Sequence, residues 1–316
     1  MLNVAIIGAN GFIGRHLIDV MSKSSFVKLS LFGRNDKIIE GTELHCSKID
    51  LFNVEQINLK FADIDVVYYL ASATIPSSSW ENPLIEFENN LIPFFTFTES
   101  IAKLGVKKIV FVSSAGTIYG PSKFKVSENS DKHPFSPYGI IKLTMEHFLN
   151  YFKNKYDINF DIYRISNVYG EGQNTSKGLG IINTFIENIL SLNEIHIFGD
   201  GENIRNYVYV KDVARILSHS SFKELNSSEI YNLSSNDTLS INELVNIIKV
   251  QMPEEFSVIY ENNRKSDNAF IDLDNSKLIN EMNCFSFTPI HIGINETYQS
   301  IKRLKVINET KINFKG

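Results

Sequence analysis

The chain has 316 residues, 43% of them hydrophobic, and its 31 Lys and Arg against 36 Asp and Glu leave a formal charge of −5. That length and apolar content suit a large core in one large domain or two sharing an interface. The mixed charge marks neither a nucleic-acid groove nor a basic membrane-binding face, so small molecules are the expected partners.

No window reaches the roughly 18 apolar residues of a membrane span. The opening MLNVAIIGANGFIG lacks a charged leader and a cleavage site, and a cytoplasmic location is expected. Cys46 and Cys284 are far apart, with neither metal-ligand spacing nor a disulfide framework, and read as reduced structural residues in a protein without a metal.

In chain order, NVAIIG (3–8) is a first buried strand, and GANGFIG follows it into a helix over 12–23. Gly8, Gly11 and Gly14 permit a tight turn and close backbone approach, so that a pyrophosphate can sit against the helix N-terminus. With Phe12 and Ile13 between them, they form the candidate dinucleotide site.

The second strand, VKLSLFG (27–33), ends in the segment that separates NAD from NADP. An acidic residue there binds the ribose hydroxyls of NAD, and a nearby Arg accommodates the 2′-phosphate of NADP. Gly33 occupies the acidic position and Arg34 follows, which favours NADP; Asp36 keeps NAD possible.

Further strands are expected over 44–50, 65–72, 107–114 and 159–166, with helices over 83–104 and 136–154. Near-continuous apolar strands separated by crossover helices predict a doubly wound parallel α/β sheet of the Rossmann type. After GEGQNTSKGLG the alternation becomes irregular. Residues 1–169 therefore read as the dinucleotide-binding domain, and 170–316 as mostly a smaller mixed α/β substrate-binding lobe, with some segments returning to the first domain.

SPYGIIKLTMEHF places Tyr138 and Lys142 four apart, on one helix face. A neighbouring ammonium lowers a phenol pKa from near 10, which makes such a pair a proton shuttle for alcohol and carbonyl chemistry. The strand KKIVFVSS ends in Ser113 and Ser114, the candidate hydroxyl donors, followed by Ala115.

GANGFIG, DVVYYLAS, FVSSAGTIYG, SPYGIIK, YRISNVYGEGQ, IHIFGDGENIRNYVYVKDVA and IYNLSS succeed one another as in the extended short-chain dehydrogenase/reductase family, whose nucleotide-sugar epimerases, dehydratases and 4-ketoreductases this chain resembles over nearly its whole length. The resemblance implies that Asp50 and Leu51 contact adenine, and that Ala71, Ser72 and Asn90 line the path to nicotinamide. It also implies that Tyr138 is the acid/base and that Lys142 binds the nicotinamide ribose. Asn167 would face the sugar nucleotide, Phe198 would pack near the nucleobase, and Arg205 and Arg264 would bind the diphosphate, for which a guanidinium fork is suited. The segment 73–83 is expected to be a substrate-facing loop, with Thr74 and Ser77 to Ser79 as hydroxyl candidates.

The chain departs from the family at Asn206 and Lys211, where Asp is common, as a matter of local packing. Counting back from Tyr119-Gly120 puts the family's catalytic Ser or Thr on Ala115; counting back from Tyr138, with 24 residues between, puts it on Ser113. Ser114 is the expected partner of the sugar oxygen, with Ser113 nearer the cofactor. The turn Ala115-Gly116-Thr117 lacks the acidic pair of the dehydratases. Two reactions remain: NADPH-dependent reduction of a dTDP- or other nucleoside-diphosphate-4-keto-6-deoxyhexose, suited to bacterial surface-polysaccharide synthesis, and NAD-dependent 4-epimerisation of the UDP-glucose type. A silent dinucleotide-sensing protein is the reading from another class. Family analogy implies a homodimer through the helices at 83–104 and 136–154.

Overall fold

Strands with both faces buried build the centre of the molecule. A computed structural model describes residues 1–122, 124–176, 180–262, 272–283 and 285–313. In its first half, strands β1 (Leu2–Ile7), β2 (Val27–Gly33), β3 (Lys37–Ile38), β4 (His45–Lys48), β5 (Val66–Tyr69), β6 (Lys108–Ser114) and β7 (Asn159–Ile165) are interleaved with helices. These are α1 (Phe12–Met21), α2 (Val54–Phe61), α3 (Pro76–Glu81), α4 (Pro83–Glu86), α5 (Ile92–Lys103), α6 (Ala115–Ile118) and α7 (Pro137–Tyr156). The second half adds β8 (Asn167–Tyr169), α8 (Ile181–Leu192), β9 (Glu194–Phe198), β10 (Ile204–Tyr209), α9 (Val210–His219) and β11 (Glu229–Leu233). It closes with β12 (Thr238–Ser240), α10 (Ile241–Gln251), β13 (Ser257–Glu261), α11 (Ser276–Glu281) and α12 (Ile290–Asn313).

Eight strands form one sheet in the order β11-β7-β6-β5-β1-β2-β4-β3, parallel throughout except where β3 runs against β4. The expected doubly wound α/β architecture is present. The reason is visible in β5: Val67 and Tyr69 enter the core on one face, with Phe61, Phe94, Phe97 and Phe111, while Val66 and Tyr68 enter the other, with Leu17, Ile18, Val213 and Ile216. Both faces of a crossover-connected sheet must be apolar, and each such side chain contributes about 1.5–3 kcal/mol of burial. A third apolar cluster, around Phe185, Ile195, Tyr207, Leu244 and Ile294, joins α8, α10 and α12 to the small sheets β12-β10-β8 and β13-β9. Within the second half, β11 lies at the edge of the main sheet beside β7, and α9 packs on α1.

Three local features differ from or add to the expectations. The helix expected over 83–104 runs from Pro83 to Lys103 and contains a π turn at Phe87–Leu91, next to Pro93, which has no N–H to continue the hydrogen-bond ladder. The loop expected over 73–83 contains α3, with Pro76 in its first turn and the Ser78 hydroxyl bonded to the Ile75 backbone. Helix α2 had no counterpart in the sequence reading, although Asn53 accepts from Gln56 N as a regular N-cap.

Among the described residues no helix is long and apolar enough to cross a membrane, and no cluster of His, Cys, Asp or Glu could hold a metal ion. Cys46 is a buried free thiol; Cys284 lies outside the described residues.

Candidate active site

Strands β1 and β5 are neighbours, but the chain leaves β1 towards β2 on one side and β5 towards β6 on the other. Crevices for ligands open at the carboxyl ends of strands at such a switch point. Here the two ends are Gly8 and Leu70. Gly8 has φ +90°, and a Cβ on it would lie 3.0 Å from the Leu70 carbonyl carbon; a Cβ on Gly14 would lie 2.4 Å from Gly8 O. Only glycine lets the turn, the strand end and α1 approach so closely. α1 begins at Gly11 with no side-chain cap and no acidic residue in its first turn, which leaves its N–H groups and positive dipole end to an anion. The arrangement fits a dinucleotide pyrophosphate.

A cleft of about 400 Å³ opens there. It brings together Gly8, Gly11, Phe12, Ile13, Gly14, Ser72, Thr74, Ser113, Ser114, Tyr138, Lys142 and Asn167. Asn167 also borders a second cavity of about 260 Å³, which holds Phe198 and Arg205. Arg34, Asp50, Leu51, Ala71 and Asn90 line neither cavity. Arg34 and Asp50 are exposed just beyond the ends of β2 and β4, and Leu51 and Ala71 pack against the core. Asn90 is buried behind the cleft, where it accepts from Ala73 N and donates to Thr74 Oγ1 and Glu86 Oε2. Arg264 lies outside the described residues.

Val112, Ile165 and Ser166 also line the cleft but were not singled out from the sequence. They end the adjacent strands β6 and β7, so the strand-end rule itself was the available signal. Of the hydroxyls in 77–79, Ser79 donates to Pro76 O and accepts from Tyr138 N, and Ser78 is occupied by Ile75, so both are committed locally; the Ser77 side chain is not described. At the departures from the family pattern, Asn206 bonds Thr238 and Leu273 N, and Lys211 pairs with Glu171.

α7 carries Tyr138 and Lys142 because Ser136 caps it by accepting from Gly139 N, one turn ahead of the pair. The Lys142 ammonium donates to Val112 O at 3.1 Å and sits 4.9 Å from the Phe111 ring centre and 5.6 Å from that of Tyr138. Burial draws the Lys142 pKa down to about 8, against the opposing pull of Glu86 and Glu146. For Tyr138 the sequence expectation is reversed: its pKa is pushed up to about 12. Burial is the largest cause, the Ser72 hydroxyl opposes it, and the Glu86 carboxylate adds to it. The phenol is therefore protonated throughout the neutral range.

Ser113 and Ser114 differ in what their hydroxyls do. Ser113 is buried and donates to Glu146 Oε1 at 2.6 Å, within the ion pair that Glu146 forms with Arg164. Ser114 is half-buried and caps α6 without a side-chain hydrogen bond, so its hydroxyl remains available to a ligand in the cleft.

A phosphate cradle at the switch point, faced by a half-buried Tyr138 and a buried Lys142, defines a Rossmann-type short-chain dehydrogenase/reductase. The model of the NAD dependent epimerase/dehydratase family matches residues 4–234, and the chain belongs to that family. A Methanocaldococcus jannaschii protein named "Putative UDP-glucose 4-epimerase" is 33% identical over 87% of this chain and 90% of its own length. An Escherichia coli dTDP-4-dehydro-6-deoxyglucose reductase is 26% identical over 95% of this chain and 97% of its own. The solved structure of Thermotoga maritima UDP-glucose 4-epimerase with UDP-glucose superposes with a TM-score of 0.85 at 28% identity, covering 96% of this chain and 99% of that one.

Proposed function

We propose that the protein reduces the keto group at C4 of a nucleoside-diphosphate 4-keto-6-deoxyhexose, with NADPH as the hydride source. The observation that carries this reading is the end of β2. A Cβ on Gly33 would lie 3.0 Å from Cys46 Sγ and 3.2 Å from Asn10 Nδ2, so an acidic side chain there is crowded as well as missing. Asp36 accepts from Lys48 N, which ties it to the strand edge, and the exposed Arg34 is left to meet a 2′-phosphate.

Gly8, Gly11, Phe12, Ile13 and Gly14 would hold the pyrophosphate, and Lys142 the nicotinamide ribose. The bound reduced dinucleotide supplies the hydride that reaches the keto carbon. Tyr138 gives its proton to the keto oxygen, and the Ser114 hydroxyl donates a hydrogen bond to the same oxygen. Residues 170–316 supply most of the sugar-nucleotide side, with Asn167 at the junction and Phe198 and Arg205 towards base and diphosphate. Orientation of the sugar between the two cavities supplies much of the rate.

The test is to incubate the purified protein with a dTDP-4-keto-6-deoxyhexose and either NADPH or NADH while following nicotinamide absorbance. Faster consumption of NADPH is expected, with a rate that falls as pH rises through about 8, where Lys142 loses its proton. The names of the UDP-glucose 4-epimerase relatives favour a second reading. No consumption, with NAD copurifying and UDP-hexoses interconverted, would replace the reductase by that epimerase. In the same preparation light scattering should give a dimer, formed through the exposed Leu84, Phe87, Ile140 and Tyr151; a monomer would remove that interface.

Ser114→Ala should lower kcat by about 10-fold or more, the scale of losing one hydrogen bond to a developing charge. Ser113→Ala should chiefly lower stability, since its hydroxyl serves Glu146. Parallel kinetics and melting curves for the two variants check the split; the reverse order of kcat losses would reassign the donor to Ser113.

A further inference from the structure

Glu86 ends α4, one turn before Asn90, and only 1% of it reaches solvent. Its Oε2 accepts from Asn90 Nδ2 at 2.9 Å; its Oε1 is buried and has no hydrogen-bond partner among the described residues. A carboxylate in such a place is costly unless a nearby cation compensates it. The backbone between Glu86 and Asn90 runs through the π turn, and both α4 and this turn pack against α7, which carries Tyr138 and Lys142. π turns of this kind often mark functional sites.

α7, against which α4 packs, carries the buried Lys142, whose proton Glu86 helps to hold against burial. The charged and titratable neighbours of Lys142 are Tyr138 and Glu146 along α7 and Glu86 from α4. Glu146 is already bound by Arg164 from β7, through Nε and Nη2, and by Ser113 from β6. Among these neighbours, the negative charge left without a partner of its own is that of Glu86.

We propose that Glu86 is a positioning residue for the reduction: its charge keeps Lys142 an ammonium and Tyr138 a phenol at the cleft, while its Oε2 fixes the Asn90 amide against Thr74. The inference rests on the Tyr138–Lys142 reading of the cleft. The two groups must be loaded with protons together, because Tyr138 becomes a phenolate as it protonates the keto oxygen and the ammonium beside it stabilises that charge. Burial alone works against the ammonium, and Glu86 is the first of the two carboxylates that oppose it.

The test follows Lys142 directly by NMR titration of protein labelled with 13C at lysine Cε, its signal identified by absence in Lys142→Met. Glu86→Gln keeps an acceptor for Asn90 but removes the charge, and is expected to lower the Lys142 midpoint by about one unit. Glu86→Asp keeps the charge and should restore most of that shift. Glu86→Met, apolar and of similar length, carries the same test if the amide variant does not fold. In turnover assays the neutral variants should lose several-fold more kcat at about pH 8 than at about pH 6.5, with KM for the sugar nucleotide little changed. An unchanged Lys142 midpoint in the folded neutral variants would overturn the inference. The midpoint shift in a protein that turns over no nucleotide sugar would support it and remove the functional reading instead.

Discussion

Tyr138→Phe is expected to lower kcat by roughly 10²–10⁴-fold, the range that positioned acid–base groups contribute, while the melting curve hardly moves. Phenylalanine retains the ring and its contact to Lys142. What is lost is the proton. With the Tyr138 pKa pushed up to about 12 by burial and Glu86, the phenol enters each turnover protonated. Steady-state kinetics at saturating sugar nucleotide and reduced cofactor, run beside a thermal melt, separate chemistry from folding. Substrate affinity should persist, since Phe198 and Arg205 line the second cavity, which Tyr138 does not border, and Asn167 borders both. Retention of more than about a tenth of the parent kcat would mean that another group delivers the proton.

The parallel sheet was legible because a strand buried on both faces has to be apolar at successive positions, as VVYY in β5 is. The turn at Gly8 to Gly14 was legible for a related reason: a Cβ on Gly8 would come within 3.0 Å of the neighbouring strand end, so the turn admits no side chain there. Elements governed by one or two residues were harder to read. α2 buries only Ile57 and Phe61, and α3 is built from three serines that resemble a loop until Pro76 and the Ser78 hydroxyl are seen to organise them.

The chemistry of the site was the least legible part, because it depends on partners distant in sequence. Ser113 and Ser114 are adjacent and identical in type, and they are distinguished by Glu146, 33 residues beyond Ser113. The phenol of Tyr138 was expected to be lowered by Lys142, four residues away. Burial and the carboxylate of Glu86, several elements earlier in the chain on α4, raise it instead. The crowding at Gly33 likewise comes from Cys46, on a strand paired with β2.

Arg164→Met is expected to destabilise the protein by about 3–5 kcal/mol, the cost of leaving a buried charge without its partner. Arg164 and Glu146 are both nearly inaccessible, and their closest atoms are 2.6 Å apart. The guanidinium Nε and Nη2 grip the carboxylate, while Nη1 donates to Tyr119 Oη at 2.8 Å and to Glu128 O at 3.1 Å. Tyr119 in turn donates to Asn232 Oδ1, and Asn232 holds Val126 O and Asp274 O. Methionine fills much of the volume but donates nothing, so Glu146 keeps only Ser113, and the Glu128 carbonyl loses its Arg164 donor. Solvent cannot replace the lost bonds at that depth without opening β6 and β7. Urea unfolding monitored by tryptophan and tyrosine fluorescence should show a lower midpoint with an unchanged slope. Adding Glu146→Gln to Arg164→Met removes the stranded charge, and should recover part of the loss as a coupling between the two sites. If Arg164→Met alone left the midpoint where it was, the carboxylate would have to reach water, and the account of Ser113 as its committed partner would fall with it.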